Sequence, residues 1–342
     1  MRNLTLLIPG LFGPKAAFTT EYIPQLDSLA FILGRARRRA LPDEAFYRLA
    51  GRLLDLEPDP AGEIPAAAVT RLMDAAEPPQ GYWMRTDPVH LSPDRDGLIL
   101  IDGSQFVLNQ HDSLAVAAEV GLVLREYGWN LEAPHSHRWY IHFDDKPDIT
   151  TTDIAAAAGQ DINHLLPVGT DAKQFHKLMN EIQMQLHGSD VNREREAKGE
   201  VAVNSVWFWG LGELPDVLER RWSIVYADNE FIKGLAVLSA TPYRSVPDEI
   251  TVILDNIPEK TELLVVLDDC HAPAQYQDLE QWRHVLLKLE KDWLAGLPEA
   301  LGTGLLDEVS IVTPGSAFHL NRMALKKFWR RPKTLGFFTA AR

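Results

Sequence analysis

The sequence predicts an α/β protein with a mostly parallel sheet and helices on both of its faces. Two observations carry this. Residues 4–8, 98–101, 263–267 and 309–312 are short, almost continuously apolar runs, the pattern of strands buried on both faces. Long segments of helical periodicity stand between such runs, as crossover connections in parallel sheets require. With 342 residues and 46% hydrophobic content, the chain can build one large domain over 1–342 without metal or disulfide staples.

In chain order, the strand at 4–8 runs into the rigid exit loop Pro9-Gly10. Helical periodicity follows over 20–39 and again over 43–55, with Pro42 and Asp43 opening the second segment. These segments and the Pro-rich loop after them read as a helical insert over 20–75. Pro78-Pro79-Gln80-Gly81 breaks the chain before an extended segment at 82–84. The strand at 98–101 precedes a helix over 113–127 and a strand over 139–143, and residues 144–170 form an irregular connection. A helix over 172–187 and a strand over 201–209 come next. The last third gives a strand at 263–267, a long helix over 276–297 with Pro298 as its stop, and a final strand at 309–312.

Lys and Arg total 34 against 48 Asp and Glu, a formal charge of -14 that argues against a general nucleic-acid binder. The exception is Lys326, Lys327, Arg330, Arg331 and Lys333, which read first as a solvated basic face and otherwise as a nucleic-acid contact. The lone Cys270 excludes an internal disulfide and suits a reducing, cytoplasmic setting. No stretch is long and apolar enough to cross a membrane, so no membrane partner is expected.

Several segments carry candidate chemistry. Asn180, Gln183 and His187 share one helix face opposite Leu178, Ile182 and Leu186. Amide and imidazole groups suit a structural hydrogen-bond network or a ligand pocket. Arg193 and Arg195 follow, able to hold an anion or to pair with the neighbouring glutamates. Trp209, Gly210 and Gly212 end an aromatic strand, and such a loop forms either a tight turn or a binding crevice at a strand's carboxyl end. His135, His137 and His142 lie around one strand and offer a weaker metal reading. Asp87, Asp94 and Asp96 interleave with Arg85 and Arg95, which favours ion pairs over a cation site.

Three blocks, residues 81–91 (GYWMRTDPVHL), 180–200 (NEIQMQLH and its VNREREAKGE tail) and 204–215 (NSVWFWGLGELP), resemble the RpfE-type regulatory protein family of bacteria, often described as phosphoglycerate-mutase-like. The resemblance implies an alkaline-phosphatase-like core. In cofactor-independent phosphoglycerate mutases that core holds two metal ions on Asp and His residues at strand ends. Here Pro9-Gly10 and Thr313-Pro314-Gly315 stand where two of those ligand positions fall. Asp268, Asp269, His271 and His319 remain as candidate catalytic residues, with Asp269, His271 and His319 as candidate metal ligands for at most one divalent cation. The resemblance therefore implies a regulatory protein that binds a small anionic ligand or a protein partner without two-metal catalysis. The alternative is a phosphoryl-transfer enzyme, mutase or phosphatase, with a rearranged site.

Overall fold

The computed structural model describes residues 1–14, 23–95, 97–255 and 257–339. Their strands are β1 (Arg2–Leu7), β2 (Arg37–Ala40), β3 (Tyr82–Asp94), β4 (Gly97–Ile101), β5 (Leu131–His135), β6 (Arg138–Phe143), β7 (Ser205–Gly212), β8 (Ile224–Tyr226), β9 (Tyr243–Arg244), β10 (Thr261–Val266), β11 (Glu308–Thr313) and β12 (Ser316–Asn321). The chain divides into two compact units, one of 1–55 with 219–342, the other of 56–218. The predicted helical insert over 20–75 straddles that division. Its helices α1 (Asp27–Arg35) and α2 (Phe46–Leu53) belong to the first unit and α3 (Ala66–Asp74) to the second.

The first unit holds the predicted α/β core. Its sheet runs β2-β12-β11-β1-β10-β8-β9. The pairs β11–β1, β1–β10, β10–β8 and β8–β9 are parallel, and β12 runs antiparallel to β11 and β2. β1 is central because Leu4, Leu6 and Ile8 are buried, as are their neighbours Leu263, Val265, Val309 and Ile311. Helical Leu29, Ile32, Trp282, Leu286 and Leu294 join the same core.

Two predicted helices end differently from expectation. The segment predicted as helical to residue 39 stops at Arg35, and Arg37–Ala40 pairs with β12 as an edge strand. Part of that prediction, residues 20–22, lies outside the described residues. The long helix over 276–297 begins at Leu279, capped by the Asp278 carboxylate, and passes through a π-helical turn at Glu290–Leu294. Pro298 does not stop it. It sits in the first turn of a new helix, Leu297–Thr303, where its missing N–H costs nothing.

The second unit contains an antiparallel sheet, which the continuous apolar runs do not distinguish from a parallel one. Its order is β4-β3-β6-β5, with β7 also paired to β3. β7 is buried at every position. The expected helix over 172–187 is present as Ala172–His187. It buries Phe175 against Trp129 and Phe208, with ring centroids 5.2 and 5.3 Å away. None of the described helices is long and apolar enough to cross a membrane.

Candidate functional site

The carboxyl ends of the parallel strands in the first unit gather the acidic residues. β8 leads to Asp228, and β10 leads through Leu267 to Asp268, Asp269 and Cys270. With Val246, Pro247 and Asp248 on one side and Val285, Lys288, Leu289 and Trp293 on the other, they line a cavity of about 200 Å³. Burial pushes the Asp268 carboxyl up to about 6, and the charges of Asp269, Asp228 and Glu230 reinforce this. Its own backbone amide acts in the opposite direction. Burial also pushes the Cys270 thiol up to about 12, which leaves no reactive thiolate at neutral pH.

The Pro9-Gly10 loop closes against this turn. Gly10 has φ +75°, and a Cβ there would lie 2.4 Å from the Cys270 carbonyl oxygen. The Gly10 carbonyl accepts from Trp282 Nε1 at 2.9 Å. His271 opens the helix His271–Gln275. Its backbone N–H donates to the Asp268 carbonyl at 2.8 Å, and its ring centroid lies 5.6 Å from that of Phe46.

His319 lies elsewhere. On β12 it pairs in register with Ser310 and shares a 2.8 Å hydrogen bond with its hydroxyl. β11 and β1 stand between β12 and β10, so three strand spacings, about 14 Å, separate it laterally from the Asp268 strand. One cation cannot bridge them. Among the described residues no three His, Cys, Asp or Glu side chains gather as a metal-binding group.

The ligand-binding candidates all fall in the second unit, and the structure does not bring them into one pocket. Asn180 and His187 are exposed and Gln183 is half-buried on the outer face of their helix. Exposed Arg193 pairs with Asp190. Arg195 is 1% exposed, and it donates to Asp112, Glu200 and the carbonyls of Val107 and Val201. These contacts tie it into the fold of the second unit. Gly210 and Gly212 lie within β7, where Cβ atoms would come within 3.0 Å of Ala66 and 2.6 Å of Pro65. They admit helix α3 to the sheet and form no crevice loop.

Trp209 donates from Nε1 to Asp87 at 2.7 Å. That carboxylate also accepts both Arg85 Nε and Nη2 at 2.8 Å and the Trp139 amide at 3.3 Å. The Arg85–Asp87 pair is the ion pairing expected of this segment, although burial raises the Asp87 carboxyl despite its partners. Asp96 lies outside the described residues. His135 and His137 have ring centroids 6.5 Å apart, and burial pushes His137 down to about 4, helped by His135. His142 packs on Trp83 instead, at 4.9 Å. Sequence reasoning found Asp268 and Asp269 but missed Asp228 and Asp248, whose flanking strands are too short to show a period.

No family model matches the chain. A probable 2,3-bisphosphoglycerate-independent phosphoglycerate mutase of Geobacter sulfurreducens is 26% identical over 132 residues, 38% of this chain. The match covers 33% of that relative, so the chain spans about a third of its length. Among solved structures, the cofactor-independent phosphoglycerate mutase of Thermoplasma acidophilum aligns over 97% of this chain and 93% of its own, with TM-score 0.45 and 15% identity. The PH0037 protein of Pyrococcus horikoshii aligns over 94% and 87%, with TM-score 0.49 and 9% identity. The sequence match is thus a partial likeness to a probable phosphoglycerate mutase, confined to 132 residues of this chain.

Proposed function

We propose that this chain is a cytoplasmic regulatory protein of the RpfE type, which uses a mutase-like frame to bind a protein partner and carries out no two-metal catalysis. The observation that supports this most is the composition of the strand ends. Acids follow β8 and β10, whereas Pro9-Gly10 follows β1 and Pro314-Gly315 follows β11, which ends at Thr313. Two divalent cations held close together need carboxylates on several sides to offset their repulsion. Here the space beside Gly10 is occupied by the Cys270 carbonyl.

The cavity lining supports a protein partner over a small anion. Asp228, Asp248, Asp268 and Asp269 face it with Lys288 as counter-charge. Such a lining repels a small anion and receives a lysine or arginine side chain from a partner. The second reading is a phosphoryl-transfer enzyme, favoured by the match to the probable mutase. Assays of the purified protein for mutase and phosphatase turnover with manganese or zinc separate the two. The binding reading expects none. Metal-dependent turnover that disappears in Asp269→Ala and His271→Ala would establish the enzyme instead.

A further inference from the structure

A strongly segregated positive charge lies away from the cavity, at the β2 edge of the first unit. Residues 35–40 and 322–333 contain no Asp or Glu in a chain whose net charge is -14. The two segments are held together. Arg330 Nη1 donates to the carbonyls of Arg35 and Ala36 at 3.1 and 3.3 Å, and the Lys333 amide donates to the Ala30 carbonyl at 2.9 Å. Gly34 allows the Arg331 carbonyl so close that a Cβ would lie 2.4 Å from it.

On this fixed turn two large apolar side chains point outward. Phe328 is 82% and Trp329 66% exposed, packed edge to face with centroids 5.3 Å apart. Met323, 73% exposed, precedes them in the same acid-free segment. Lys326, Lys327, Arg330 and Arg331 flank the pair in sequence. An edge strand rich in arginine is explained by the need to block edge-to-edge pairing. That need does not explain a protruding Phe-Trp pair.

We propose that this turn docks on an anionic lipid bilayer surface, with Phe328 and Trp329 entering the interfacial layer and the lysines and arginines meeting lipid phosphates. Charge and the exposed aromatic pair select this occupant. Trp and Phe favour the bilayer interface, and clustered Lys and Arg add attraction to anionic lipid. The two segments themselves contribute no acid to oppose that attraction. A nucleic acid would need an exposed stacking platform, whereas these two rings stand at 82° to each other. A fluid bilayer can close around exposed side chains such as these without a preformed pocket. The contact is peripheral and requires no spanning helix.

Co-sedimentation of the full chain with vesicles tests this, comparing phosphatidylcholine alone with mixtures containing about one-third phosphatidylglycerol. The protein is expected to bind the mixed vesicles only, and less as salt rises. The double substitution Phe328→Ser/Trp329→Ser, at surface positions, should weaken binding about tenfold with an unchanged circular dichroism spectrum. Lys326→Glu/Lys327→Glu should weaken it at least as much. No binding to mixed vesicles at low salt would overturn the proposal, as would equal binding to neutral vesicles. Tighter binding to a single-stranded oligonucleotide, or a dimer that Phe328→Ser/Trp329→Ser dissociates, would assign the patch to that partner instead.

Discussion

Gly10 and Cys270 meet backbone to backbone: a Cβ on Gly10 would stand 2.4 Å from the Cys270 carbonyl oxygen and 2.8 Å from its carbonyl carbon. The loops leaving β1 and β10 are thus fitted to each other at Cys270, which also lines the acidic cavity. Gly10→Ala should cost about 2 kcal/mol or more, since it adds both a clash with backbone and strain at φ +75°. Urea denaturation reads the loss. An unchanged midpoint would mean that the two loops are not in contact.

Arg85 and Asp87 form a buried pair at 2.8 Å, 5% and 2% exposed. Arg85→Leu leaves the carboxylate to Trp209 and the Trp139 amide, and should destabilise by about 3–5 kcal/mol. Adding Asp87→Asn should recover part of that loss. A double-mutant cycle measures the coupling, and strictly additive effects would contradict the pairing.

Glu63 accepts from the Thr151 amide and hydroxyl, yet burial pushes its carboxyl up to about 7. The folded state then holds this proton more tightly than the unfolded state, whose value is near 4.5. Its contribution to stability is therefore full below pH 4.5 and is lost as pH rises to 7. Glu63→Gln should flatten the stability profile in that window, with a gain at pH 8 of up to about 3 kcal/mol. Parallel profiles for variant and parent would refute the assignment.

Asp268 follows the same sign, with its loss falling between pH 3.8 and about 6. Asp268→Asn should stabilise the protein at pH 7.5 by about 1–3 kcal/mol and, on the function proposed above, weaken capture of a partner's cationic side chain. Destabilisation at that pH would mean that the charged form makes favourable contacts within the fold.

The local readings held where burial on both faces leaves its mark on composition. The strands at 4–8, 263–267 and 309–312 and the helix Ala172–His187 are all close to their predicted places. The Asp268-Asp269 turn was legible because it directly follows such a strand. The second unit's sheet was harder to read. β7 is buried at every position, so its continuous apolar run resembles a parallel-sheet strand although it pairs antiparallel with β3.

By itself, then, the sequence determined the α/β core, the long helix of the second unit, and an acidic turn at a strand end, since each depends on patterns within a few consecutive residues. The tertiary structure alone decided which distant groups meet. It put Arg195 in a buried ion pair with Asp112 83 residues away, and it drew Asp228 and Asp248 to Asp268. It also set His319 three strands from β10. Strand order and side-chain burial fix those distances, and neither is written in the local spacing of the chain.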